Sequence, residues 1–314
     1  MLSISKDEIR SIVPMADAIL SMRKAFSDFS SGLVIVPDRM SMEIDGKNAT
    51  VLLMSAYRNK GKYFITKVVT VFQNTISNRS DLISAYVNVF DASTGDMVAT
   101  LDGGTITSLR TGAASGLATT LLAKKDATVA AIFGTGVQAH TQVEAIISSR
   151  PIERVFVYSR DIGSAKKFSK YISETYSIDA NPGESDDLSL ADIICTATPS
   201  TKSLFRHQDL KEGTHINAIG SFKPVMREIP PETIVKAKVV VDSISACKKE
   251  AGDLIMAAKE KQWSFENIYS EIGKIASDKI SGRSNDNEVT IFKSVGLGIQ
   301  DLAISELVLD RLNI

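Results

Sequence analysis

The sequence predicts an α/β protein whose larger part is a doubly wound parallel sheet, and three features point there. Apolar runs at residues 128–133, 154–159, 192–197, 214–219 and 239–242 are interspersed with helical patterns at 137–148 and 162–175. Strands separated by helices demand right-handed crossovers in a mostly parallel sheet. A glycine-rich turn, Gly134-Thr135-Gly136-Val137-Gln138-Ala139, stands at the first strand-to-helix junction. Residues 34–90 read instead as short β-rich runs, which sets them apart as part of a second domain.

From the N-terminus, Ser5-Lys6-Asp7-Glu8 has the form of a capping box, Ser5 and Glu8 each satisfying an orphan N–H of a short helix. After Pro14 a second helix places Ile19, Met22, Phe26 and Phe29 on one side and stops near Gly32. That face reads as core. Strand runs follow at 50–54, 63–71 and 85–90, and Thr94-Gly95-Asp96 supplies a hairpin turn. Residues 105–124 form a helix crowded with small residues, Gly112 and Gly116 among them. Glycine inside a helix costs roughly 1 kcal/mol relative to alanine, so its backbone is expected to pack close against another element or a nearby cofactor. The doubly wound part runs from about 120 to 290 on this reading. A last helix near 301–309 lies beyond it and can return to the first domain.

Composition narrows the function classes. With 314 residues, 44% of them hydrophobic and 23% charged, the chain has material for two globular domains. Lysine and arginine total 36 against 37 acids, a net charge of -1, which gives no general electrostatic reason to bind a polyanion such as nucleic acid. Cys195 and Cys247 stand far apart and make neither a metal spacing nor a disulfide framework. His140, His207 and His215 have no acidic or cysteine neighbours at ligand spacing, so no metal site is expected. The first residues include Asp7 and Glu8 rather than a basic stretch before an apolar run, and no apolar segment is long enough to span a bilayer. A soluble cytoplasmic protein is the expectation.

The glycine turn carries the strongest local signal. Gly134 makes the tight exit from the strand, Gly136 lets a diphosphate approach the backbone, and Ala139 is small enough for the helix to sit on the sheet. The helix N-terminus then offers N–H groups to the diphosphate through Thr135, Val137 and Gln138. Position between strand and helix makes this a Rossmann-type NAD(P)-binding unit rather than a bare glycine motif. The next strand ends in Ser159-Arg160, where an NAD site often offers an acid to the ribose hydroxyls; the first acid, Asp161, comes later. That favours NADP over NAD. Ligands bind beyond the carboxyl ends of such strands, so Thr196, Ala197 and Thr198, with Gly220 and Ser221 after the following strand, are expected at the cofactor. Cys195 precedes that end and reads as packing rather than as a nucleophile.

Cations of the first domain are candidates for holding a substrate carboxylate. Lys67, within Tyr63-Phe64-Ile65-Thr66-Lys67-Val68-Val69, lies either on an exposed strand face or inside a site where desolvation lowers its pKa toward proton transfer. Arg110 falls in the first turns of the small-residue helix, where a cation calls for a bound anion or an internal carboxylate. Arg39, after Pro37, serves the same substrate or is an ordinary surface arginine.

Taken with their order, these blocks resemble the ornithine cyclodeaminase and mu-crystallin family across nearly the whole chain. The resemblance rests on Pro37-Asp38-Arg39, on Lys67 followed by Asn74, and on Asp102-Gly103 leading to Leu109-Arg110-Thr111. It continues through the glycine turn and Asn217-Ala218-Ile219-Gly220-Ser221, then Thr290 to Gly296 with Asp301. It implies a homodimer in which residues 1–119 and 294–314 form an α+β substrate-binding and dimerisation domain around an NAD(P) domain of residues 120–293. It also implies that Arg39, Lys67 and Arg110 surround the substrate carboxylate and reactive nitrogen, that Ser294, Val295 and Gly296 approach the nicotinamide, and that Asp301 orients this region. One departure separates the family's activities. Cyclodeaminases carry a catalytic aspartate two residues after the Asn-Ala-Ile-Gly block, where this chain has Phe222, and residues 48–60 hold no acid. Reduction of a preformed cyclic ketimine of the pyrroline-2-carboxylate type asks only for a carboxylate clamp, a proton donor and a placed hydride. That activity is the leading expectation. Ornithine cyclodeaminase, with Glu228 or Asp301 supplying the acid, comes next, then alanine dehydrogenase, then a non-catalytic NADP and small-ligand binding protein.

Overall fold

The computed structural model describes residues 2–72 and 82–314; Asn74, part of the family pattern, lies outside them. The chain divides into two compact units, residues 1–110 with 297–314 and residues 111–296.

The first unit opens with strand β1 (Leu2–Ile4) and helix α1 (Lys6–Ile12), whose Ser5–Glu8 capping box is present as read, followed by α2 (Met15–Ser30). A mixed sheet follows from β2 (Val34–Ile35), β3 (Met40–Ile44), β4 (Ala49–Arg58), β5 (Tyr63–Phe72), β6 (Leu82–Asp91) and β7 (Met97–Asp102). Among the described residues its order is β1-β7-β6-β5-β4-β2, with β3 also on β4; β1 runs parallel to β7 and the other pairs are antiparallel. Gly95, at φ +79°, makes the β6–β7 turn where Thr94-Gly95-Asp96 was expected. Helix α3 (Gly103–Leu122) starts where Asp102 accepts from the Thr105 N–H and hydroxyl. A Cβ on Gly103 would lie 2.5 Å from the Ala85 backbone, so only glycine fits there.

The second unit continues with β8 (Val129–Phe133), α4 (Val137–Ser149), β9 (Arg154–Tyr158), α5 (Ile162–Tyr176), β10 (Asp179–Pro182), β11 (Ile193–Thr196) and β12 (His215–Ala218). Then come α6 (Pro231–Lys236), β13 (Lys238–Val241), α7 (Ile244–Glu250), α8 (Gly252–Lys259), β14 (Ser270–Glu271), α9 (Ile272–Ala276) and β15 (Thr290–Lys293). Its sheet is parallel throughout, in the order β10-β9-β8-β11-β12-β15-β13-β14. Alternate residues feed two cores. Ala130, Ile132, Val155 and Val157 face Val143, Phe168 and Ile172, while Ala131, Phe133, Ile194 and Ile291 face the side of Ile234, Leu254 and Trp263. Full burial of each such large side chain stabilises the fold by about 1.5–3 kcal/mol.

Helix α10 (Gly298–Arg311) returns to the first unit, packing on α2 and on β4, β5 and β6. The units divide after Arg110 and after Gly296, against the breaks at 119/120 and 293/294 drawn from the sequence. The difference arises because α3 is one unbroken helix whose later turns pack on the second unit's sheet. A Cβ on Gly112 would lie 2.6 Å from the Thr141 carbonyl oxygen, and Thr119 accepts from Asn217. A neighbouring helix, not a ligand, is therefore what presses against Gly112.

Candidate active site

In the first unit, alternation along β5 buries Tyr63, Ile65 and Lys67 on the face that α10 covers. Lys67 is 1% exposed. Its Nζ donates to both carboxylate oxygens of Asp301, each at 2.8 Å, and to Thr107 Oγ1 at 3.2 Å. Asp301 sits in the first turn of α10, where a carboxylate also suits the helix dipole. Arg110 Nε lies 3.5 Å from the same carboxylate, and its Nη1 donates to Gln300 Oε1 at 3.5 Å. The internal carboxylate that Arg110 called for is thus Asp301. Burial pulls the Lys67 ammonium down to about 8; Asp301 opposes that shift, and the like charges of Arg110 and Arg39 add to it. Arg39 is half-buried in the stretch between β2 and β3.

Thr107 and Gln300 escaped the sequence reading, and their neighbours carried the only signals for them. Gln300 accepts the Leu297 N–H as well as Arg110, capping α10 and steadying the guanidinium together.

In the second unit, Gly134 has φ +108°, and a Cβ there would lie 2.5 Å from the Ala197 carbonyl oxygen. Gly136, the N-cap of α4, has open space where a Cβ would point and makes no side-chain cap. Ala139 is buried against the sheet. A thirteen-residue helix whose first N–H groups face a glycine with nothing beside it fits a dinucleotide diphosphate. Thr135, Val137 and Gln138 line this entrance at least partly exposed, and the buried Gln138 Oε1 has no hydrogen-bond partner among the described residues. Ala197 and Thr198 are partly exposed, and Ser159 and Arg160 are exposed at the end of β9. The Asp161 carboxylate caps α5, accepting from Gly163 N, Ser164 N and Ser164 Oγ.

Three of the residues expected at the cofactor are buried in the second unit. In Thr196, Gly220 and Ser221 the Thr196 hydroxyl and the two N–H groups donate to Glu228, while the Ser221 hydroxyl donates to the Met226 carbonyl. The strand ends expose N–H groups that must find acceptors, and a buried carboxylate supplies them here. Ser294, Val295 and Gly296 are likewise nearly buried; the Ser294 hydroxyl and the N–H groups of Val295 and Gly296 all donate to Asp242 Oδ2 at 2.8 Å. Asp242 was not picked out, although an acid directly after the apolar run 239–241 is a legible anomaly. Phe222 is 39% exposed.

Cys195 is buried with its thiol pushed up to about 12 by desolvation, so it is packing. His215 lies between Thr290 and Asn217, His140 between the rings of Phe168 and Tyr171, and His207 beside Thr233. Among the described residues no group of three His, Cys, Asp or Glu side chains gathers as metal ligands, and no helix is long and apolar enough to cross a membrane.

A parallel sheet with a glycine turn at its switch point in one unit, and a buried lysine–aspartate–arginine cluster in the other, define a two-unit nicotinamide-dependent oxidoreductase. Residues 2–313 match the model of the ornithine cyclodeaminase/mu-crystallin family, and the chain belongs to that family. It is 38% identical over 314 residues to a Delta(1)-pyrroline-2-carboxylate reductase of Bacillus thuringiensis subsp. konkukian, covering 99% of this chain and 96% of that one. Among solved structures it resembles Thermococcus litoralis Delta(1)-pyrroline-2-carboxylate reductase in complex with NADH and L-proline. That match has a TM-score of 0.93 at 34% identity and covers 100% of this chain and 98% of the other. An archaeal alanine dehydrogenase dimer with bound NAD matches with a TM-score of 0.92 at 31% identity, covering 100% and 97%.

Proposed function

We propose that this chain reduces the C=N bond of a cyclic 2-imino acid of the pyrroline-2-carboxylate type, and that NADPH is its preferred reductant. The imine carbon gains a hydride and the nitrogen a proton, giving the cyclic amino acid. The bound dinucleotide supplies the hydride. Arg39 and Arg110 hold the carboxylate, and Lys67 keeps a proton on Nζ for the nitrogen, with Asp301 fixing both Lys67 and Arg110.

The observation that carries the reading is Lys67: a fully buried lysine, locked to one carboxylate and crowded by two arginines, whose proton is labile near pH 8. Such a group suits proton transfer at ordinary pH. Cyclodeaminase chemistry is less well supported. Phe222 stands at the aspartate position, and the two acids that might substitute are already engaged, Glu228 by five donors and Asp301 by Lys67.

The preference for NADPH follows from the end of β9. Asp161 spends its carboxylate on α5, which leaves Ser159 and Arg160 as the exposed groups there, suited to a 2′-phosphate.

A homodimer belongs to the same reading, supported by the dimeric alanine dehydrogenase relative. Met40, Leu53, Val68 and Tyr86 pair in one row across four strands, on the sheet face opposite Lys67. Met40 is 62% and Tyr86 56% exposed, an apolar strip that a second copy would cover.

Absorbance at the nicotinamide band tests the function directly. Purified protein should oxidise NADPH with pyrroline-2-carboxylate or its six-membered homologue, and turn over ornithine and alanine poorly in the oxidative direction. Turnover of ornithine with NAD, without NADPH oxidation by either imine, would overturn the proposal.

A further inference from the structure

Within the second unit the buried Glu228 carboxylate ties together two turns that leave neighbouring strands. Its Oε1 accepts from Thr198 N at 2.7 Å and Thr198 Oγ1 at 2.8 Å. Its Oε2 accepts from Thr196 Oγ1 at 2.8 Å, Gly220 N at 2.8 Å and Ser221 N at 3.1 Å. Each oxygen therefore receives at least one backbone N–H, a donor that cannot reverse its role. Gly220 is glycine for the same reason: a Cβ there would lie 2.4 Å from Glu228 Oε1.

The strap extends further. The N–H groups of Glu228 and Ile229 donate to Asp253 Oδ1 at 2.6 and 3.0 Å, and Asp253 Oδ2 accepts from Lys293 Nζ at 2.8 Å. Asp253 and Lys293 are each at most 1% exposed. Lys293 ends β15 and leads into the turn 294–296 that Asp242 holds. On the other side, the Ala197 carbonyl held in the Thr196–Thr198 turn packs against the Cα of Gly134 so closely that no Cβ fits between them.

We propose that Glu228 is a positioning residue for the dinucleotide. Its carboxylate sets the turns at 196–198 and 220–221 in one arrangement against the glycine turn, and Asp253 with Lys293 ties that arrangement to the turn at 294–296. This inference rests on the NAD(P) reading above. A buried carboxylate that only stabilised the fold would leave ligand affinity unchanged once the protein was folded. One that sets the turns changes dinucleotide affinity while sparing the imino acid, whose groups lie in the other unit.

Glu228→Gln keeps the shape but offers one accepting oxygen, so an amide N–H must face the backbone N–H of one turn and release it. Titrating NADPH by its fluorescence, with circular dichroism to verify folding, should give a Kd raised about tenfold or more. The KM for pyrroline-2-carboxylate should stay within about twofold. Thr196→Val removes a single donor to the carboxylate and should weaken NADPH binding about threefold. A folded Glu228→Gln protein with wild-type NADPH affinity overturns the proposal. Should that variant fail to fold, an unchanged affinity in Thr196→Val overturns it instead. Wild-type protein that bound neither NADPH nor NADH would remove the dinucleotide reading itself, a different outcome from loss of the strap alone.

Discussion

Lys67 Nζ stands 2.8 Å from both oxygens of Asp301, although 234 residues separate the two in sequence. The two side chains are 2% and 0% exposed, so water screens neither charge. Arg110 Nε stands 3.5 Å from the same carboxylate, so one buried acid balances two cations.

The first consequence is a pH profile. Lys67 has its pKa lowered to about 8 from 10.5, so it is protonated below that pH and neutral above it. Imine reduction that draws its proton from Lys67 should fall tenfold per pH unit above about 8, while the reverse oxidation rises through the same range. Lys67→Ala should lower kcat for reduction by about 100-fold or more and flatten that limb. A variant with full turnover removes Lys67 from the chemistry.

Asp301→Asn should act through Lys67 and Arg110. Removing one partner of a buried ion pair leaves its cations uncompensated and costs about 3–5 kcal/mol of stability, read as a lowered urea midpoint. Asp301 also holds the Lys67 pKa up, so its loss should move the alkaline limb to lower pH. A limb that stayed near pH 8 in a folded Asp301→Asn protein would separate Asp301 from the titrating group.

The parts of this site that were legible in sequence are those fixed by local backbone geometry. Gly134 needs a positive φ and Gly136 an open flank, and both needs are written into a turn between an apolar run and a helix. Lys67 shares its parity with Tyr63 and Ile65, which marks the buried face, but Phe64 and Val68 make the other parity apolar too and blur the pattern. Its link to Asp301 has no local trace; the family resemblance implied only that Asp301 orients this region. Strand β15, four residues long, slots between β12 and β13 in space although it follows both in sequence, so its neighbours could not be inferred. At Thr196, Gly220 and Ser221 nothing in the sequence signalled the internal acid, Glu228, that accepts their donors, because it lies 7 to 32 residues away in the chain.

Cofactor choice can be tested at the end of β9. Arg160→Ala should raise the KM for NADPH about tenfold and leave NADH nearly unchanged, as expected for loss of one charge-assisted contact to a 2′-phosphate. Equal effects on both dinucleotides would mean that Arg160 does not read the phosphate. Asp161→Ala should instead loosen the start of α5, since three donors lose their acceptor, at a cost of about 1 kcal/mol.

Acid should destabilise the second unit through His215. Its ring is buried, with Nε2 at 3.2 Å from Asn217 Oδ1 and Nδ1 at 2.9 Å from Thr290 Oγ1. Asn217 donates its own amide hydrogens to Thr119 and Cys195, so its Oδ1 faces His215 as the acceptor of a proton on Nε2. Desolvation first, then the charges of Arg283 and Arg150, lower the His215 pKa from 6.5 to about 3, while Asn217 opposes them. Between those two pH values the unfolded chain binds a proton that the folded chain refuses. Stability is therefore whole above about 6.5 and drains away as the pH falls toward 3. His140, also lowered by burial, contributes in the same direction, so the informative quantity is the difference between wild type and His215→Gln. The variant should be less stable at pH 8 yet lose less between pH 7.5 and 5, measured as urea midpoints. Parallel losses in the two proteins would mean that His215 accepts a proton in the folded state as readily as in the unfolded one.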